Sequence, residues 1–140
     1  MNNYNFIHDI IPLNNVYRPP YGGELYEMAA CGNIEGLYLI VWTNDAGWIP
    51  HFHIFNNPNP KKTTFDACLK IETPEYFKHG PHTDILNSKQ VKQIISLLQS
   101  EMKPGLTWWE YLISTWNANN SKAEIPTDLP MPDYTTLNQI

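Results

Sequence analysis

His51 and His53, in the run Ile49-Pro50-His51-Phe52-His53-Ile54-Phe55, are the residues whose type and spacing first suggest chemistry. Two imidazoles two positions apart on an extended strand project to the same side. Each can be a metal ligand, a general acid or a general base near neutral pH. A second alternating run, Thr64 to Glu72, directs Phe65, Ala67, Leu69 and Ile71 one way and Asp66, Cys68, Lys70 and Glu72 the other. If the two runs pair through the Pro/Asn-rich loop Asn56-Asn57-Pro58-Asn59-Pro60, apolar must meet apolar and polar must meet polar. An apex near residues 59–60 then predicts His53 across from Asp66 and His51 across from Cys68. Opposed side chains lie about 4.5–5.5 Å apart at Cβ. Two imidazoles, a carboxylate and a thiol would share one patch. His51, His53 and Asp66 are therefore the candidate catalytic residues, with the carboxylate fixing an imidazole tautomer for acid–base work or for a divalent transition metal such as zinc.

The pair His79-Gly80-Pro81-His82, followed by Asp84, falls in a loop. His79 and His82 join His51 and His53 as candidate metal ligands if that loop folds over the sheet. Blander readings compete. A strand histidine beside Phe and Ile is often an amphipathic filler, a single cysteine such as Cys68 is often a small buried hydrophobe, and most H-x2-H pairs in loops are surface turns. Trp108-Trp109 reads as core packing, and His8 has no suggestive neighbours.

These residues need elements to hold them. Residues 1–22 read as irregular, closed by turn chemistry at Pro19-Pro20-Tyr21-Gly22-Gly23. Leu25 to Cys31 reads as a strand, Gly32-Asn33 as a tight turn, and Gly36 to Trp42 as a strand apolar on both faces, fit for the centre of a covered sheet. Asn44-Asp45-Ala46-Gly47 reads as a hairpin connection into the histidine strand, which carries Trp48, Phe52 and Ile54 on its other face. The period then changes. Asn87 or Ser88 can cap a helix with its stripe at Val91, Ile94, Ile95 and Leu98, stopped by Lys103-Pro104-Gly105. Thr107 and Glu110 form a capping-box signature for a second helix with Trp109, Leu112, Ile113 and Trp116 on one face, ending at Asn117 to Asn120. The fold class is α+β: an antiparallel meander of three to four strands with two C-terminal helices packed on one face. The organisation expected is a single domain over residues 1–122 and an extended tail over 123–140, which holds Pro126, Pro130 and Pro132 and lies on the domain or reaches for a partner.

Composition limits the partners. With 140 residues and 42% hydrophobic, the chain can bury a sizeable core. A net charge of -5 with Arg18 as the sole arginine argues against nucleic-acid binding, and the adjacent pair Lys61-Lys62 sits in a loop. Cys31 and Cys68 make no disulfide framework, no signal peptide is evident, and the longest apolar run, Leu37 to Trp42, is too short to span a bilayer. A cytoplasmic protein without membrane attachment is expected. Its partner would be another small protein or a second copy in a homodimer.

Known site patterns fail on particular residues. The strand is similar to the His-x-His-x-His of histidine-triad nucleotide hydrolases, but the third position is Phe55. Cupins would place a Glu a few residues downstream, where Asn57-Pro58-Asn59 stands. There is no P-loop, no G-x-S-x-G, no dinucleotide fingerprint and no zincin helix. The stretch Ile49-Pro50-His51-Phe52-His53-Ile54, the later Ala67-Cys68-Leu69-Lys70-Ile71 and the closing Trp116-Asn117 resemble a small uncharacterised bacterial and phage family. Its members carry a Pro-Pro-His-Phe-His-Val strand and are often encoded in toxin–antitoxin-like gene pairs. Ile49 replaces the first proline, and the match spans about residues 36–117. The resemblance implies a protein-interaction module, one member of a two-protein pair or a phage accessory protein. The residues themselves suggest the alternative: a small His-dependent or metal-dependent hydrolase or nuclease using His51 and His53.

Overall fold

Period-2 alternation broken by turn residues produces one antiparallel sheet, and period-3.6 stripes produce the helices that cover it. A computed structural model describes residues 15–17, 26–42 and 49–139. Strands β1 (Asn15–Tyr17), β2 (Tyr26–Ile34), β3 (Leu37–Trp42), β4 (His51–Phe55) and β5 (Asp66–Lys70) lie side by side in chain order, each antiparallel to its neighbour. The meander thus has five strands where three to four were expected, the fifth because Asn15–Tyr17 pairs with β2. The turn at Pro19–Gly23, the hairpin connection at Asn44–Gly47, Trp48 and His8 lie outside the described residues.

The turn between β2 and β3 falls later than the glycine suggested. Glu35 and Gly36 take φ of 47° and 85°, the paired positive values of a tight primed hairpin turn. Gly32 instead sits inside β2 at a bulge after Ala30, with φ 131°. A Cβ there would stand 3.0 Å from the Trp108 ring, so the bare backbone admits the indole. Glycine here serves a helix contact and not a turn.

Helices α1 (Ser88–Gln99) and α2 (Trp108–Asn119) pack on one face of the sheet. Asn87 and Gln90 form a reciprocal capping box on α1, and Thr107 and Glu110 form one on α2, each satisfying two otherwise orphaned amides. α1 stops at Gln99, earlier than the Pro104-Gly105 pair. That pair turns a small hairpin of β6 (Glu101–Lys103) and β7 (Leu106–Thr107), with Gly105 at φ 85°. Leu37, Leu39, Val41, Phe52, Ile54, Ala67, Leu69 and Ile71 meet Val91, Ile94, Leu98, Trp108, Leu112 and Trp116 in the core. Each large side chain buried there contributes about 1.5–3 kcal/mol.

Residues 123–139 lie on the domain. Ile125 and Tyr134 belong to the core, Trp109 Nε1 donates to the Leu129 carbonyl, and Asn117 exchanges two bonds with Ile125. The Tyr134 hydroxyl donates to the Lys70 carbonyl at 2.5 Å, joining the tail to β5. Among the described residues, no helix is long and apolar enough to cross a membrane.

Two measurements check this packing. Gly32→Ala forces the added methyl against Trp108 and demands a positive φ, so chemical denaturation should show a loss of about 1–3 kcal/mol. A loss under half a kcal/mol would mean that the indole does not seat on β2. Burial, and secondarily the electrostatic influence of Cys68, push the Tyr134 hydroxyl above its ordinary value of 10.0. A phenol whose folded value is raised gives stability that is whole below its unfolded value and declines as pH rises above it. Tyr134 ionisation, followed by phenolate absorbance against a Tyr134→Phe control, should therefore appear only together with alkaline unfolding above pH 10.

Candidate metal centre

The sheet has a second buried face. In β3, β4 and β5 it presents Ile40, His51, His53, Phe55 and Cys68, all buried although α1 and α2 cover the other side. His51 and His53 are only 1% and 2% exposed. Among the described residues, the segment after β5 covers them. It reverses at Thr73-Pro74 and runs back beside β5, where Lys70 N–H donates to the Glu75 carbonyl and Phe77 N–H to the Cys68 carbonyl, both at 2.9 Å. The chain then turns over the histidines and returns to β5. There Asp84 N–H donates to the Asp66 carbonyl at 3.1 Å, and Asp66 N–H to Asp84 Oδ2 at 2.8 Å. The loop is pinned at both ends.

The β4–β5 register corrects one expectation. His53 faces Cys68, His51 faces Lys70 and Phe55 faces Asp66, two residues away from the expected pairing of His53 with Asp66 and His51 with Cys68. The connection 56–65 is longer than a simple apex because Asn56 holds it open. Asn56 N–H donates to Thr63 Oγ1 at 3.0 Å, its Nδ2 to Thr64 Oγ1 at 2.7 Å, and Thr64 N–H returns to Asn56 Oδ1 at 2.8 Å. An even shift preserves which face each side chain takes. His51, His53, Asp66 and Cys68 consequently still share a side. Lys70, directly across from His51, has its ammonium drawn to Glu75 Oε1 at 3.0 Å. That bond and the lysine's charge hold the Glu75 carboxyl below its ordinary value.

The loop brings the second histidine pair to the first. His79 and His82 close a tight turn whose first central residue, Gly80, has φ 50°, and their rings stand 4.6 Å apart. His82 lies 4.6 Å from His53 and His79 lies 5.4 Å from His51, ring centre to ring centre. Phe77 stacks on His79 at 4.3 Å and meets His51 edge-on at 5.0 Å, while Trp116 approaches His51 at 5.6 Å and Trp42 approaches His53 at 6.3 Å. His51, His53, Cys68 and His79 each offer a ligand atom, and these atoms lie within 4.8 Å of one another. His53, Asp66 and His82 form a second such group.

Hydrogen bonding settles the tautomers of three rings. His51 Nδ1 is 2.6 Å from the Ile49 carbonyl, His79 Nδ1 is 2.8 Å from the Phe77 carbonyl, and His82 Nδ1 is 2.5 Å from Asp66 Oδ1. Carbonyl and carboxylate oxygens can only accept, so in the neutral ring Nδ1 carries the proton and Nε2 the lone pair. Outer oxygen partners that fix a histidine in this way are the usual support of metal ligands.

Every sequence-derived candidate, His51, His53, Asp66, His79 and His82, is thus gathered in one place. Asp66 serves His82 and not His53. Cys68, which strand alternation placed on the same patch but which also reads as a small buried hydrophobe, offers its thiol among the imidazoles. The Ile49 and Phe77 carbonyls leave no trace in residue types at all. Asp84, by contrast, was visible beside the histidine pair.

The tautomers can be read directly. Long-range proton–nitrogen spectra of the metal-free protein should show His51, His79 and His82 protonated at Nδ1. Protonation at Nε2 in any of the three would remove the oriented-ligand description.

No protein-family model matches the chain, and neither does any curated protein or any solved structure.

Proposed function

We propose that the protein is a metal-binding protein holding one divalent transition ion of the zinc class on His51, His53, Cys68 and His79. The convergence of three imidazoles and a thiol within 4.8 Å, two of the rings pinned at Nδ1 by carbonyls, carries this reading. Nitrogen and sulfur donors select zinc-like ions over calcium or magnesium, which require oxygen. Metal–ligand bonds of about 2.0–2.3 Å give tetrahedral edges of about 3.3–3.8 Å, so the set needs only small side-chain adjustments to close on an ion. The blander alternative, histidines as fillers, would group several polar rings in a buried layer where an apolar residue is cheaper. Four donors complete a tetrahedron, and a complete tetrahedron is typical of ions that hold structure together. Here the ion would clamp the loop 77–84 onto β4 and β5.

This reading comes ahead of acid–base catalysis by His51 and His53, whose rings are buried under the loop. It also comes ahead of an interaction module docking through its tail, since residues 123–139 contribute Ile125 and Tyr134 to the domain's own core.

Zinc added to the metal-free protein should bind tightly at one equivalent. At about 1,000 times the dissociation constant it should add about 4 kcal/mol of stability, raising the midpoint of thermal unfolding by roughly 10–20 °C. Cys68→Ser and His53→Ala should each abolish most of that rise. An unchanged midpoint with zinc, or a rise that survives both substitutions, would remove the metal reading.

A further inference from the structure

We infer that His53, Asp66 and His82 form a second metal position at the outer edge of this centre, one that keeps coordination sites open. The inference rests on the metal-binding reading above and extends it to a different donor set. The three residues offer ligand atoms within 4.8 Å of one another, and none of them is a thiolate. Two imidazoles and one carboxylate form a set that fills only part of a coordination sphere, leaving positions for water or a small oxygen-donor molecule. The inner set, with four donors, has no such vacancy.

Placement agrees with donor chemistry. The side chains of His82 and Asp66 are 20% and 18% exposed, so two of the three outer donors are half-buried, whereas three of the four inner donors, His51, His53 and Cys68, are buried and His79 alone of that set is half-buried. The outer set is the more open of the two. The outer residues are also rigidly mounted: Asp66 lies on β5 with its amide and carbonyl both bonded to Asp84, and His82 closes the turn begun by His79. His82 Nδ1 donates to Asp66 Oδ1 across 2.5 Å, so His82 Nε2, which carries the lone pair, would be the nitrogen that holds an ion, with the Asp66 carboxylate beside it. His53 belongs to both sets, and an imidazole has two ring nitrogens. Serving both positions at once would require the ring to lose its remaining proton to solvent, so that each nitrogen could hold one ion. The richer oxygen content of the outer set suits iron(II), cobalt(II) or manganese(II) better than the inner set does.

Cobalt(II) distinguishes the two positions, because only the inner one contains sulfur. Titration of the metal-free full-length protein should give two steps. The first brings a thiolate-to-cobalt charge-transfer band, and the second, weaker by about tenfold or more because it has one donor fewer and is open to water, adds none. His82→Ala and Asp66→Ala should each remove the second step and leave the thiolate band in place. Saturation of the wild-type protein at one equivalent overturns the second position whatever the variants do, and so does a second step that persists in either variant. Absence of the charge-transfer band in the wild-type protein would instead remove the inner centre, and the outer position would fall with it.

Discussion

The register between β4 and β5 is the constraint on which the rest depends. It is set at the far end of the hairpin, where Asn56 ties its backbone and side chain to Thr63 and Thr64. With that end held, His53 must stand opposite Cys68. A slip of one residue would send His51 and His53 into the helix-covered core and bring Phe52 and Ile54 out among the polar groups. The same register positions Asp66 where Asp84 can bond its amide and its carbonyl, and that contact returns the covering loop to the sheet. A few amide and hydroxyl bonds in a surface loop thus determine which donors meet in the interior.

The two faces of the sheet are buried for different reasons. One carries aliphatic and aromatic side chains against α1, α2 and the returning tail, and its contribution is ordinary hydrophobic burial. Among the described residues, the other face is covered by the loop that follows β5, with Phe77 against His51 and His79, and by Trp116 beside His51. On this side His51, His79 and His82 are each oriented by an oxygen partner at Nδ1. Donors oriented in advance need less reorganisation to bind a metal ion. The loop gains its own rigidity from β5 and from the Gly80 turn.

Much of the architecture was legible from residue patterns. The clean alternation from Thr64 to Glu72 and the capping pairs Asn87–Gln90 and Thr107–Glu110 announce their elements because local geometry alone favours them. Gly32 misled for a physical reason: the freedom that suits glycine to a turn also suits it to a bulge beneath an indole, and only the position of Trp108 distinguishes the two. Pro104-Gly105 similarly marks a break without saying that a hairpin follows the helix. In the site, the face shared by His51, His53, Asp66 and Cys68 was readable, since side-chain parity on a strand survives an error of two in the pairing.

The sequence by itself determined the kinds of donors, the face each strand turns to the interior, and the presence of a histidine turn followed by an acidic residue. Those are local properties, governed by residue type and by backbone periods of 2 and 3.6. Only the tertiary structure decided that His79 and His82 cross over to His51 and His53, that Asp66 bonds His82, and that backbone carbonyls at Ile49 and Phe77 orient two of the rings. These are contacts between segments distant in the chain or with the main chain itself. Main-chain oxygens are the same at every position, so no pattern of side chains can reveal which of them will be used.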